Sequence, residues 1–164
     1  MGGKALSGKR ISNEEAYKLA ERIICDNDLG CKVDRILLCG SARRGKEDSG
    51  DLDFVFIDSE NDALKSWLVE NYGTKKNGKP QTTILYDGVQ VEFYEATHES
   101  WGSCTLMWTG SARNNIQLRR AAKSKGLKLN QHGLFDGSEN LAAGKSEQAI
   151  FEMLGKRYKE PQNR

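Results

Sequence analysis

The chain has 164 residues and a mass of 18.3 kDa, with 37% hydrophobic and 29% charged residues, two prolines and a formal net charge of +2. That size allows one compact domain or two small ones and excludes a large multidomain enzyme. The composition excludes disordered and fibrous chains. No apolar run reaches the ~18 residues of a membrane span, and Met1-Gly2-Gly3-Lys4-Ala5 has no apolar signal core, so a soluble, intracellular protein with no membrane partner is expected.

Ser12-Asn13-Glu14-Glu15 reads as a capping box, and Ala16, Leu19, Ala20, Ile23 and Ile24 follow at helical spacing until Asp26-Asn27-Asp28. Val33 to Cys39 suits a buried strand. A glycine-studded polar loop from Gly40 then leads to a second strand, Asp51 to Ile57. On it Asp51, Asp53, Val55 and Ile57 share one face, and Leu52, Phe54 and Phe56 the other. A helix from Asp62 to Asn71 precedes a lysine-rich loop carrying Lys75, Lys76 and Lys79 and ending at Pro80. Gln81–Tyr86 and Val89–Tyr94 flank Asp87-Gly88, the pattern of a type I′ hairpin, with Gln90, Glu92 and Tyr94 on its polar face. From His98 the pattern becomes helical: Glu99–Met107, Ala112–Lys125 closed by Gly126, and Glu147–Leu154 capped by Ser146.

Charge is segregated along this order. Arg113, Arg119, Arg120, Lys123, Lys125 and Lys128 occur without an acidic neighbour, whereas Glu47, Asp48, Asp51 and Asp53 crowd together. Cys25, Cys31, Cys39 and Cys104 form no C-x-x-C pair and only His98 and His132 could join them, so zinc is not expected. Cys25 and Cys31 could bridge in an oxidising compartment; free thiols are expected in a reducing one.

Two aspartates two residues apart on a strand have Cα atoms roughly 6.5–7 Å apart on one face. Their carboxylates can converge on two divalent ions about 3.5–4 Å apart, although a lone Asp-x-Asp is more often a solvated turn. Here Gly40-Ser41 follows a buried strand, where backbone amides and a small hydroxyl can approach phosphate, with Arg44 as a fork for the same oxygens. Ser49-Gly50 gives a second close approach, and Glu92 a third carboxylate.

Cys39-Gly40-Ser41-Ala42-Arg43-Arg44-Gly45-Lys46 with Ser49-Gly50-Asp51-Leu52-Asp53 resembles the active-site signature of the family X DNA polymerases, within the nucleotidyltransferase superfamily. Further stretches agree in order: Val89 to Phe93, Trp108-Thr109-Gly110-Ser111 with Asn115 to Arg119, Gly126 to Phe135, Ser146 to Phe151 and Tyr158 to Pro161. The resemblance implies an α+β fold: a palm with a mixed or antiparallel sheet and helices on one face over residues 1–97, then a small, mostly helical thumb over 98–164. Neither a lyase nor a fingers domain is expected, and therefore no deoxyribose-phosphate lyase activity.

The function it implies is template-directed addition of nucleoside monophosphates to a primer 3′-hydroxyl with release of pyrophosphate. The setting would be short-gap filling in DNA repair, by a monomer in cytoplasm or nucleus or of viral origin. The implied partners are gapped or primer-template DNA and nucleoside triphosphates, and the implied cofactor is two Mg²⁺ ions, which Mn²⁺ can replace. Asp51 and Asp53 would hold both ions and Glu92 the one that activates the 3′-hydroxyl. Gly40, Ser41, Arg44, Ser49 and Gly50 would cradle the triphosphate. Met107, Trp108, Thr109 and Gly110 match the segment beneath sugar and base, Asn115 the contact to the base's minor-groove edge, and Arg119 the template contact. Arg113, Arg120 and Lys123 would meet phosphates.

Two departures matter. Most relatives carry aspartate where Glu92 stands; strand parity favours Glu92 over Glu95 or Asp87 as the third ligand. Met107 and Trp108 replace the more frequent tyrosine and phenylalanine, and Trp-Thr-Gly-Ser is similar to the version in polymerase mu and terminal transferase, which implies weak discrimination against ribonucleotides. A template-independent nucleotidyltransferase and a non-catalytic module binding DNA gaps or ends remain as alternatives.

Overall fold

The computed structural model describes residues 9–26, 29, 32–59, 63–73, 76–78 and 81–164; Cys31, Asp62, Lys75, Lys79 and Pro80 lie outside these. In chain order the elements are β1 (Ile11–Ser12), α1 (Asn13–Asp26), β2 (Val33–Leu38), α2 (Gly40–Arg43), β3 (Asp48–Ser49), β4 (Asp51–Asp58), α3 (Ala63–Tyr72), β5 (Lys76–Gly78), β6 (Gln81–Tyr86) and β7 (Val89–Glu95). There follow α4 (Trp101–Thr109), α5 (Ala112–Ser124), β8 (Lys128–Asn130), β9 (Gly133–Phe135), β10 (Leu141–Ala143), α6 (Glu147–Met153) and a 3₁₀ turn at Pro161–Asn163.

The capping box is reciprocal: the Glu15 amide donates to Ser12 Oγ at 3.2 Å, and the Ser12 amide to Glu15 Oε2 at 2.8 Å. The β6–β7 hairpin turns at Asp87 and Gly88 with φ of +50° and +80°, the type I′ geometry their sequence favours. Both elements are encoded by neighbours in sequence.

A five-stranded sheet runs in the order β2-β4-β7-β6-β5. Its central pair β4 and β7 is parallel and the other neighbours are antiparallel. On one face Leu52, Phe54, Phe56, Val91 and Phe93 pack with Ala16, Leu19, Ala20, Ile23, Leu64 and Leu68 of α1 and α3. The Phe54 and Phe93 rings stack 5.2 Å apart. On the other face Val55, Ile57 and Tyr94 meet Cys104, Trp101 and Trp108 of α4. Helices therefore cover both faces, but α4 covers only the Val55–Ile57 half of the second. The half bearing Asp51 and Asp53 stays open.

Beyond the sheet, Leu106, Met107, Leu118, Ala122, Leu129, Leu134, Ile150, Phe151 and Leu154 form a second core. The helical pattern from His98 omits a three-stranded sheet, β10-β9-β8, whose strands of three residues each are too short to show alternation. The loop after β2 also departs from expectation: Gly40–Arg43 forms a helical turn, and β3 pairs with β1. Gly102 lets α4 abut the start of α6, since a Cβ there would lie 2.3 Å from Ser146 Cα. Among the described residues no helix is long and apolar enough to cross a membrane.

Candidate active site

Parallel pairing sets Asp51 opposite Gln90 and Asp53 opposite Glu92. Side chains in register point the same way, so Asp51, Asp53 and Glu92 share the open face. Burial, then Asp51, then Glu92 push the Asp53 carboxyl up from 3.8 to about 7, with Arg44 opposing. Burial first and Glu92 second also raise Asp51. Three acids thus crowd together with too little positive charge among them. Among the described residues no group of three His, Cys, Asp or Glu side chains is arranged to hold an ion alone. Magnesium does not demand one: it keeps one or two carboxylates and takes substrate phosphates and water for the rest. Hard oxygen donors, mutually repelling and open on one side, fit that ion.

Gly40 stands where only glycine fits. Its φ is +62°, and a Cβ there would lie 2.1 Å from Asp53 Oδ2. The Cys39 amide donates to the Asp53 carbonyl at 2.7 Å, holding α2 against β4. Ser41 and Ser49 hydroxyls are 2.8 Å apart, bringing the two expected phosphate-facing segments together. Arg44 Nη1 donates to the Thr109 carbonyl at 2.5 Å, while its buried Nε has no partner. The loop, the acids and the Thr109-Gly110 segment therefore form one continuous rim.

Trp108 lies flat on Tyr94, with ring centroids 3.5 Å apart at 12°. The Tyr94 hydroxyl donates to Glu92 Oε2. Burial, then that bond, hold the phenol protonated far above its ordinary range. Met107 is 7% exposed and packs in the second core, and its carbonyl accepts from Asn115 Nδ2 at 2.7 Å. Asn115 Oδ1 is buried and unpartnered. Arg113, Arg119, Arg120 and Lys123 are exposed on α5, Arg119 with Nη2 3.5 Å from Met107 Sδ.

Three contributors escaped the sequence reading. Arg10 forks onto Asp48 at 2.8 and 2.5 Å, with Nη1 3.4 Å from where a Cβ on Gly50 would lie. It brings a guanidinium to the Ser49-Gly50 edge from across the β1–β3 pair. Gln90 Nε2 donates to Glu92 Oε1 at 2.8 Å. Arg43, beside Arg44 in sequence, turns away: it bonds Thr109 Oγ1 and Glu147 Oε1, each at 2.6 Å. Glu147 Oε2 also takes Arg164 Nη2 at 2.7 Å and the Tyr158 hydroxyl at 3.1 Å. Burial opposes the Glu147 charge, yet bonds from Arg164 and Arg43 carry its pKa below the ordinary value. Cys39 and Cys104 are pushed up to about 12 by burial, which leaves them thiols at neutral pH and unfit as nucleophiles. Cys25, Cys39 and Cys104 are unbridged.

Two family models match this chain: the DNA polymerase beta palm over residues 10–121 and the DNA polymerase beta thumb over residues 104–164. The repair DNA polymerase X of an African swine fever virus isolate is 28% identical over 173 residues, covering 97% of either chain. Human DNA-directed DNA/RNA polymerase mu is 35% identical over 94 residues, which are 56% of this chain but 19% of that protein. DNA polymerase IV of Saccharomyces cerevisiae is matched over only 13% of its length. Among solved structures, Leishmania infantum polymerase beta in a ternary P/T complex superposes with a TM-score of 0.79 at 25% identity, over 96% of this chain and 77% of that one.

Proposed function

Since the chain belongs to the family X DNA polymerases, the polymerase beta palm model matching residues 10–121 and the thumb model residues 104–164, we propose that it copies a DNA template by adding nucleoside monophosphates to a primer 3′-hydroxyl, filling short gaps in repair. The observation that carries this reading is the register of β4 with β7, which gathers Asp51, Asp53 and Glu92 on one uncompensated face beside the Gly40-Ser41 and Ser49-Gly50 rim.

A family X polymerase requires divalent metal, and two Mg²⁺ ions, or Mn²⁺ in their place, fit here. Bound between the acids and the triphosphate, they would supply Lewis acidity and neutralise charge on the transferring group. Asp51 and Asp53 would ligate both and Glu92 the one nearer the primer terminus. Gly40, Ser41, Ser49, Gly50, Arg44 and Arg10 would hold the triphosphate so that its α-phosphorus lies in line with the primer oxygen. The new O–P bond forms there as the bond to the β-phosphate oxygen breaks, the primer proton passes to solvent, and pyrophosphate departs. No side-chain nucleophile takes part.

Trp108, Thr109 and Gly110 would floor the sugar and Asn115 would reach the base edge. Arg113, Arg119, Arg120 and Lys123 would grip DNA phosphates, in a monomer whose palm ends near residue 97. With a tryptophan flooring the sugar, ribonucleotides would enter almost as readily as deoxynucleotides; a preference above about a thousandfold, roughly 4 kcal/mol, would reject that.

The decisive experiment is extension of a one-nucleotide gap by each deoxynucleotide and ribonucleotide, with and without EDTA. Incorporation of the complementary base that EDTA abolishes supports the reading. Template-independent addition, or gap binding with no incorporation under Mg²⁺ or Mn²⁺, overturns it.

A further inference from the structure

Glu92 carries one more rotatable bond than an aspartate, and an acid meant to meet a cation at a fixed point must have that torsion held. Both of its oxygens are held. Gln90 Nε2 donates to Oε1 at 2.8 Å and the Tyr94 hydroxyl to Oε2, from the residues two before and two after it on β7. A carboxylate accepts about four hydrogen bonds, so each oxygen keeps a lone pair for another ligand.

The Tyr94 hydroxyl has little freedom to leave. Its residue is 3% exposed, its ring lies against Trp108, and both pack with Cys104 of α4. A phenol on a ring clamped in this way is a fixed donor. Asp53 lies across the β4–β7 pair from Glu92, so the direction in which Tyr94 aims the acid decides whether it converges on the aspartates.

On the polymerase reading above, we infer that Tyr94 is a positioning residue: its hydroxyl, helped by Gln90, sets the extra torsion of Glu92, and its ring ties that acid to Trp108 beneath the sugar. The third acid and the nucleotide floor are thereby aligned by one side chain. A substitution of the hydroxyl alone acts on metal geometry, whereas loss of the ring acts on metal and sugar together.

The test uses Tyr94→Phe, which keeps the ring, and Gln90→Met, each made in the native chain and in Glu92→Asp. Mn²⁺ affinity is read by electron paramagnetic resonance in a complex with deoxynucleotide and gapped DNA whose primer ends in a 3′-dideoxy sugar, and kcat and KM are measured separately. Tyr94→Phe should weaken Mn²⁺ binding and lower kcat by about 10- to 100-fold while the nucleotide KM holds, and Gln90→Met should act in the same direction. With aspartate at 92, too short to reach the phenol, Tyr94→Phe should change neither.

Unchanged Mn²⁺ affinity in Tyr94→Phe, or an equal loss in both backgrounds, would make Tyr94 a packing residue and overturn the inference. Should Tyr94→Phe fail to fold, Gln90→Met decides by the same readings. The native chain is a separate control: if it neither binds Mn²⁺ nor extends primer, the polymerase reading itself falls.

Discussion

Two clusters of ionic side chains flank Thr109, and they are built on opposite plans. Arg43, Glu147 and Arg164 interlock, with the acid 6% and Arg164 0% exposed at the side chain, and each Glu147 oxygen meets a cation. Asp51, Asp53 and Glu92 repel one another, and only Arg44 opposes the charge on Asp53. The first cluster is charge-compensated as folded, with Arg164 Nη1 left unpartnered, and it joins α2 to α6 and Arg164. The second is short of positive charge, with Arg44 acting on Asp53 and Arg10 on Asp51; on the proposed function that charge would come with the metal. A buried charge group that is satisfied serves architecture, while one left short of counter-charge marks where something binds.

The largest expected effect breaks the second cluster. Asp53→Asn should lower incorporation by at least ~10³-fold, about 4 kcal/mol in barrier, yet raise the thermal midpoint of the metal-free protein because it removes repulsion. Gap filling and calorimetry on one preparation would show both. If Asp53→Asn lowers stability instead, the contrast between the clusters is wrong.

Glu147→Gln should do the reverse. Removing the shared acid leaves two guanidinium groups without charge compensation and should cost about 3 kcal/mol of stability, read from urea unfolding. An unchanged midpoint would mean that the arginines find water or other partners.

Titration separates the clusters in a third way. The folded-state pKa of Asp53 is raised, from 3.8 to about 7, so the folded chain binds more protons than the unfolded one between those values. Metal-free stability should therefore fall as pH rises through that window. The pKa of Glu147 is lowered from 4.5; its contribution is present above that value and is lost as pH falls below it. Thermal midpoints against pH should lose the upper slope in Asp53→Asn and the acid slope in Glu147→Gln. At limiting metal the rate should also fall about tenfold per pH unit below about 7, and saturating metal should move that limb to lower pH.

The smallest effects lie outside both clusters. Arg120→Ala and Lys123→Ala, exposed on α5, should each flatten the dependence of gapped-DNA affinity on salt by about one ion in the logarithmic slope. Asp48→Asn breaks the solvent-exposed pair with Arg10 and should barely change the thermal midpoint. A loss of nucleotide affinity in Arg10→Ala would sharpen its placement beside Gly50.

What could be read from the sequence follows the distance between interacting residues. The capping box at Ser12 and Glu15 and the turn at Asp87-Gly88 are local, and each formed where its residues predict. The Asp51, Asp53 and Glu92 set was legible because strand parity fixes which way each acid points and Gly-Ser followed by Gly-Asp-x-Asp is a compact signature. The Arg43 bond to Glu147 joins positions far apart in sequence with no pattern between them; adjacent arginines carry no mark of which faces the site. Tyr94 was placed on the polar face of β7, but its burial depends on α4 folding back, which strand periodicity cannot anticipate. The strands β8 to β10 are too short for a period to register.

The parallel pairing of β4 with β7 has a consequence for how the protein matures. Asp53 and Glu92 are neighbours only through the pairing of β4 with β7, so a fragment ending before β7 would keep the two aspartates but lose the third acid. A one-residue slip of β7 would bury Glu92 among the phenylalanines and turn Phe93 outward. On the proposed function, a bound cation would therefore stabilise the correctly threaded sheet over a misregistered one.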